Sequence, residues 1–182
     1  MERSVVFAGF GGQGLLFAGQ ILARAAIRDG LEVFWIPSYG PEMRGGTASC
    51  TVIVGDGPIG SPVVDRFDAA VVMNRPSVAR FGPRLAPGGL LIVNSSLVDE
   101  ESGDAAGMGE LRIACTELAA TAGNDKLVSV VALGALIGRL GWVSPSSIEA
   151  AIRDVVGRKR PEVLDADLAA FDAGISAGRL AA

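Results

Sequence analysis

The chain contains no histidine, only two cysteines and few aromatic residues, and these shortages exclude several kinds of chemistry. Without histidine, no imidazole can serve as a general acid or base. Cys50 and Cys115 lie far apart, match no metal-binding spacing and cannot supply the four thiolates of an iron–sulfur cluster. Both are predicted to be buried strand thiols. We therefore expect neither a metal site nor a catalytic residue in this chain.

Basic residues are also in deficit, and long apolar runs are missing. The 16 lysines and arginines are outnumbered by 20 acidic residues, which argues against a nucleic-acid partner. The most apolar stretch, residues 127–142, is shorter than the roughly 20 residues of a membrane span, so it predicts a buried helix and no membrane partner. Met1–Arg3 runs directly into a strand-like segment rather than a signal peptide, which predicts a cytoplasmic location.

What is present is an aliphatic chain of 182 residues in which strand and helix patterns alternate. The fold class predicted is three-layer α/β/α, with a mixed, mostly parallel sheet and a helical C-terminal tail. We expect one domain, 1–182, with an α/β core over 1–142 and C-terminal helices over 143–182. The predicted strands are Ser4–Ala8, Leu31–Ile36, Thr47–Val54, Asp68–Asn74, Leu90–Asn94 and Leu111–Cys115. The predicted helices are 14–29, Arg75–Phe81, Thr116–Ala122, 126–141, one opened by Ser144–Pro145, and Pro161–Leu180.

The apolar helix 126–141 carries Gly134, Gly138 and Gly141, small residues that allow another backbone to approach closely. Because the helix is apolar nearly all round, it must be buried, either within the domain or against a partner. We favour the domain core.

The first loop with functional potential is the GFGGQG stretch at residues 9–14. Gly9, Gly11 and Gly14 match the G-x-G-x-x-G pattern between a strand and a helix, where backbone N–H groups can receive a pyrophosphate. The acidic residue that normally closes the second strand and binds a ribose is missing, which argues against NAD. The alternative is a tight packing turn, although Gly12 and Gln13 suggest contact with a nearby group, because a glutamine amide both donates and accepts.

A second loop, SYGPEMRGGTASC at residues 38–50, should leave the sheet at the same edge as the first. Arg44 could pair with Glu42 at the surface, or bind a carboxylate or phosphate bidentately. Tyr39 and Met43 could form a contact patch for a partner. The candidate residues of the two loops for cofactor binding or a partner interface are Gly9, Gly11, Gly12, Gln13, Gly14, Tyr39, Glu42, Met43, Arg44, Gly45 and Gly46.

Together, GFGGQG, SYGPEMRGGTASCTVIV and PIGSPVV (58–64) resemble the gamma subunit of 2-oxoacid:ferredoxin oxidoreductases. The similarity is greatest to the members that act on 2-oxoglutarate and on branched-chain oxoacids, and it extends over residues 4–140. Ser129 departs from the pattern, since an asparagine is expected there in this family, and this difference affects only a local helix contact.

The resemblance implies a multi-subunit, cytoplasmic enzyme that oxidatively decarboxylates a 2-oxoacid to an acyl-CoA and reduces ferredoxin. It implies that thiamine diphosphate, Mg, iron–sulfur clusters and coenzyme A are used on partner subunits, namely alpha, beta and a ferredoxin-like delta subunit. This chain, which is not expected to be catalytic alone, would supply interface and contacts to coenzyme A or the active-site entrance. A free-standing nucleotide-binding α/β enzyme and a ligand-free assembly module are the alternatives.

Overall fold

The computed structural model describes residues 1–39, 47–99, 109–157 and 160–180. Within these ranges the chain forms six strands and six α-helices, and four of the helices follow the last strand. The strands are β1 (Glu2–Phe10), β2 (Glu32–Tyr39), β3 (Thr47–Gly55), β4 (Phe67–Val72), β5 (Leu85–Asn94) and β6 (Gly109–Ile113). The helices are α1 (Leu15–Arg28), α2 (Arg75–Phe81), α3 (Cys115–Thr121), α4 (Val128–Leu140), α5 (Pro145–Ile152) and α6 (Leu164–Leu180). No helix in these ranges is long and apolar enough to cross a bilayer.

All six strands form one sheet in the order β2-β3-β1-β4-β5-β6. Strand β3 is antiparallel to both of its neighbours, and the β1–β4, β4–β5 and β5–β6 pairs are parallel. The predicted mixed, mostly parallel sheet is therefore confirmed. Strands β1 and β2 point the same way, as a β-α-β unit requires, but β3 lies between them. The β2–β3 hairpin turns the chain back, so that β3 rather than β2 pairs with β1.

Helices cover the two faces of the sheet unequally. The larger core contains the apolar residues of α1, α4, α5 and α6 on one face. The smaller core packs α2 against β1, β4 and β5 on the other face. The result is the predicted three-layer arrangement, with its thicker layer on the α1 side.

Several predicted boundaries need correction. Strand β2 continues beyond Ile36 to Tyr39, because Tyr39 pairs with Ala48 of β3. Pro37 is tolerated there because β2 is an edge strand. Cys115 is not a strand residue: the last strand ends at Ile113, and Cys115 is the first residue of α3. The remainder of the predicted loop, 40–46, lies outside the described residues.

The close approach predicted for the glycines of α4 occurs within the domain. Gly134 and Gly138 face Gly174 and Gly178 of α6, and a Cβ atom at Gly134 would lie 2.9 Å from the Gly174 Cα. A Cβ at Gly138 would lie 3.0 Å from the Ile175 Cα. Two helix backbones therefore meet with no side chain between them, and the domain-core interpretation of helix α4 is right.

Gly141 has a different role from the one its spacing suggested. Its φ of 61° ends α4 in the left-handed conformation, and no atom lies within 4 Å of the Cβ that a substitution would add. It is thus a helix cap rather than a packing residue.

Asp29, at the end of α1, connects that helix to α5. Its carboxylate accepts the backbone N–H of Ser144 at 2.6 Å and the hydroxyl groups of Ser144 and Ser147. Ser144 is in turn the N-cap of α5, as predicted from its position before Pro145. Partial burial alone would raise the pKa of Asp29, but these hydrogen bonds from Ser144 and Ser147 lower it below its ordinary value of 3.8.

Replacing Asp29 by asparagine should lower the free energy of unfolding at pH 7 by about 1 kcal/mol, a modest value because the carboxylate is exposed. A carboxylate with a lowered folded-state pKa stabilises the fold above its unfolded pKa, and this contribution disappears as the pH falls through the folded pKa. Urea unfolding should therefore show a smaller difference between Asp29→Asn and wild type below pH 3.8 than at pH 7. The exposed Asp172→Asn is the control, and an equal effect there would refute the explanation.

Candidate functional site

The glycine loop, residues 9–14, connects β1 to α1 at the carboxyl edge of the sheet. Gly12 and Gly14 have φ angles of 95° and 77°, in the left-handed region that favours glycine. Gln13 folds back over the loop, and its Oε1 accepts the backbone N–H of Phe10 at 2.7 Å. The backbone N–H of Gln13 donates to the Phe10 carbonyl at 3.3 Å.

Two glycines of the loop are surrounded too closely to carry side chains. A Cβ at Gly9 would collide with Gln13 Oε1 and lie 2.9 Å from Met73 Cβ. A Cβ at Gly14 would lie 2.5 Å from Ser129 Oγ, and Ser129 is buried at the start of α4. Ser129, where the resemblance led us to expect an asparagine, thus packs against the loop itself.

The glycine loop therefore forms hydrogen bonds within itself, which leaves fewer backbone N–H groups for a ligand. The Phe10 N–H, one of the loop's backbone donors, is bound by the Gln13 carboxamide. Glu32 lies at the first position of β2, at the opposite edge of the sheet from the place where a ribose-binding acid is required. Both observations favour a structural or contact role for this loop over dinucleotide binding.

The second loop leaves the sheet beside the first. Phe10 at the end of β1 pairs with Thr47, and the next residue of β3, Ala48, pairs with Tyr39 at the end of β2. The starts of the two loops are thus separated only by the first residues of β3. The other candidates of this loop, Glu42, Met43, Arg44, Gly45 and Gly46, lie outside the described residues, so their contacts remain predictions.

Asn74 and Ser77 form a third polar element at this edge, which was not predicted from the sequence. Asn74 follows β4 and caps α2 by accepting the Ser77 N–H at 2.9 Å. Asn74 is 4% exposed and Ser77 1% exposed, yet Asn74 Nδ2 and Ser77 Oγ have no hydrogen-bond partner among the residues that the structure describes. The sequence Asn-Arg-Pro-Ser after an apolar strand, a helix-start pattern with proline inside the first turn, was the signal that could have revealed it.

The glycine loop and Asn74 lie where two neighbouring parallel strands, β1 and β4, are followed by helices on opposite faces of the sheet. After β1 the chain passes to α1 on one face, whereas after β4 it passes to α2 on the other face. Open α/β sheets bind ligands outside the carboxyl ends of the strands at such a switch point. The glycine loop and Asn74 flank this position.

Exposed aromatic side chains lie on β1 and β2, one of them, Phe10, beside the glycine loop. Phe10 is 39% exposed at the end of β1, and Phe34 and Trp35 on edge strand β2 are 41% and 37% exposed. We call these three residues the aromatic rim. Exposed large aromatic groups on a sheet edge are typical of a surface that another protein covers.

Neither cysteine offers a reactive or metal-binding thiol. Burial raises the pKa of Cys50 to about 12, and it does the same for Cys115. Thiolates are required for ligation, so these residues do not fit an iron–sulfur centre. Within the described parts of the chain, no group of three potential metal-ligating side chains occurs.

Comparison with known proteins identifies the class. The model of the pyruvate ferredoxin/flavodoxin oxidoreductase family matches residues 4–177, and the chain belongs to this family. The gamma subunit of a keto/oxoacid ferredoxin oxidoreductase from Geobacter sulfurreducens has the same fold, with a TM-score of 0.87 and 31% identity. That match covers 100% of this chain and 98% of the Geobacter chain.

Two further relatives are longer proteins. The ketoisovalerate oxidoreductase subunit VorA of Methanothermobacter thermautotrophicus is 36% identical over 95% of this chain, which spans 36% of VorA. A 2-oxoglutarate:ferredoxin oxidoreductase from Magnetococcus marinus, solved with 2-oxoglutarate, coenzyme A and succinyl-CoA bound, gives a TM-score of 0.90 at 26% identity. That match covers 98% of this chain and 31% of the Magnetococcus chain. The chain thus spans about a third of each.

Proposed function

We propose that this chain is the gamma subunit of a 2-oxoacid:ferredoxin oxidoreductase, which oxidatively decarboxylates a 2-oxoacid to an acyl-CoA and reduces ferredoxin. The observation that carries the proposal is the end-to-end match to a gamma subunit of this class. The longer relatives support it, because in them the same fold is part of a larger oxidoreductase chain.

The catalytic cofactors are assigned to other subunits of the complex. Thiamine diphosphate, Mg and the iron–sulfur clusters would be held by the alpha, beta and ferredoxin-like delta subunits, since this chain has two buried thiols and no histidine. The two longer relatives are named for ketoisovalerate and for 2-oxoglutarate, which supports a 2-oxoacid of one of these two kinds as the proposed substrate. The predicted cytoplasmic location remains part of the proposal.

This chain contributes a surface at the carboxyl edge of its sheet. The glycine loop, the start of the 38–50 loop and Phe10 of the aromatic rim lie there together, and we assign this edge to the contact with the catalytic subunits. Nearby, Asn74 Nδ2 has no partner within the described part of the chain, which supports a polar contact at the same edge. Coenzyme A is the ligand proposed to pass this edge, by analogy with the Magnetococcus complex.

The test is reconstitution. The chain is co-expressed with candidate thiamine-binding and ferredoxin-like subunits from the same genome, and methyl viologen reduction is measured with 2-oxoglutarate and with 2-oxoisovalerate. We expect reduction that requires the 2-oxoacid, coenzyme A and this chain. Equal rates without this chain, or no dependence on a 2-oxoacid, would refute the proposal.

The isolated chain should bind neither NAD(H) nor thiamine diphosphate. For NAD(H), Gln13 occupies a donor of the glycine loop and the ribose-binding acid is missing. For thiamine diphosphate, the sequence shows no metal–diphosphate motif. Isothermal titration calorimetry is the measurement. Micromolar affinity for NAD(H) would instead support the free-standing nucleotide-binding enzyme.

A further inference from the structure

Three arginines converge around an aromatic pair at the amino edge of the sheet, opposite the glycine loop. Phe67 begins β4 and packs edge-to-face against Phe81 of α2, with ring centroids 6.1 Å apart. The Arg84 guanidinium carbon lies 4.9 Å from the Phe67 centroid, and that of Arg80 lies 5.2 Å from the Phe81 centroid. Arg66 donates to the carbonyl of Leu85 where β5 begins, at 3.2 Å. We call Arg66, Arg80 and Arg84 the arginine cluster.

No carboxylate of the described residues forms an ion pair with the cluster, although Glu2, Asp65 and Asp68 line a depression together with Arg66. The contacts of its guanidinium groups within the described residues are to aromatic rings and to the main-chain carbonyls of Val64, Asp65 and Leu85. The nearby Asp68 carboxylate accepts the N–H and hydroxyl of Ser4 instead. A concentration of positive charge in a chain of net charge −4 points to an acidic partner.

The cluster is also held in place before any partner arrives. Arg84 stacks on both rings and donates to two carbonyl oxygens, so its side chain is largely ordered. Ordering a flexible side chain opposes binding, and a preordered arginine avoids most of that loss. Arg66 and Arg80 remain exposed and available to carboxylates.

The chemistry of this surface fits a transient partner better than a permanent subunit. Among the exposed large apolar residues, Val63 alone lies close to the cluster in sequence, whereas Phe10, Phe34 and Trp35 belong to the aromatic rim. Permanent interfaces are apolar and large, whereas electron-transfer encounters are small, polar and guided by charge. Nucleic acid is disfavoured by the overall negative charge.

We propose that the arginine cluster docks the acidic surface of the electron-carrier protein that the complex reduces. This inference rests on the proposed function, and the family model is itself named for ferredoxin and flavodoxin as acceptors. The cluster guides the carrier electrostatically, while the redox centres lie in the partner subunits.

The experiment uses the reconstituted complex carrying Arg66→Glu and Arg80→Glu together, which spares the anchored Arg84. With a purified bacterial ferredoxin as acceptor, we expect kcat/KM for ferredoxin to fall at least about tenfold and to lose part of its dependence on salt. With methyl viologen, a small dye that needs no protein docking site, the rate should stay at the wild-type value. Arg24→Glu, at an exposed position of α1, is a charge-reversal control outside the cluster and should leave both rates unchanged.

An unchanged kcat/KM for ferredoxin in the double variant would overturn the inference. Loss of viologen reduction or of subunit assembly in that variant would also overturn it, since the cluster would then be a subunit interface. Arg80→Lys keeps the charge and should stay within about twofold of wild type, which separates electrostatic docking from a change in packing. If the wild-type complex does not reduce viologen with a 2-oxoacid, the proposed function fails first and this inference with it.

Discussion

Replacement of Gly138 by leucine should lower the free energy of unfolding by about 3 kcal/mol, at the upper end of the usual cost of overpacking. The reason is that the added side chain would meet the backbone of α6 around Ile175 rather than a movable side chain. Either the two helices separate and expose apolar surface, or the chain strains locally. In a domain of this size the melting temperature should fall by about 10 °C.

The matched control is Gly82→Ala. Gly82 has a right-handed helical φ of −52°, and no atom lies within 4 Å of the Cβ that alanine would add. Its melting temperature should change little, and Gly138→Ala should already be destabilising because even one methyl group enters the contact. A melting temperature for Gly138→Leu equal to that of the wild type would show that α4 and α6 are not in backbone contact.

Replacement of Arg44 by alanine should weaken the reconstituted complex by about 3–5 kcal/mol if its guanidinium binds an anion at a buried interface, because the partner charge would remain buried and unpaired. Arg44 lies outside the described residues, so the expectation rests on the strand ends at Phe10 and Tyr39, which place its loop at the proposed contact edge. A solvent-exposed arginine would produce almost no change.

Two measurements separate the possible anions for Arg44. If it binds a carboxylate of a partner subunit, subunit dissociation increases; if it binds a phosphate of coenzyme A, the complex stays assembled and the KM for coenzyme A rises. Arg44→Lys keeps the charge but loses the bidentate geometry, and Arg24→Ala on α1 is the control. Wild-type assembly, turnover and KM for coenzyme A in Arg44→Ala would refute an interface role for this loop.

Helix α2 and the N-cap of α5 show what local sequence could predict. The range Arg75–Phe81 was predicted to the residue, and Ser144 before Pro145 marked the start of α5. Both signals are local, since capping residues and proline act on backbone groups within one turn. Strand β5 was predicted from Leu90, yet it begins at Leu85, because its early residues are defined by pairing with β4.

The candidate site was predictable only in part. The strand–glycine–helix pattern located the loop and its sheet edge, but nothing local indicated that the Gln13 side chain would return to the Phe10 N–H. Asn74 and Ser77 were missed because an asparagine and a serine are common at helix starts. They are notable because Asn74 Nδ2 and Ser77 Oγ are buried without a hydrogen-bond partner among the described residues. Such burial depends on the surrounding fold and not on local sequence.

The sequence by itself determined the class of chain: its alternating strand and helix patterns, the two family-like loops, and the lack of histidine and of cysteine ligands. The tertiary structure alone decided that β3 enters the sheet between β1 and β2, since strand pairing depends on hydrogen bonds between distant segments. It also decided that Gly138 meets α6 and that the Arg84 guanidinium lies over the Phe67 ring. Such contacts form between residues far apart in the chain, so no local sequence pattern predicts them.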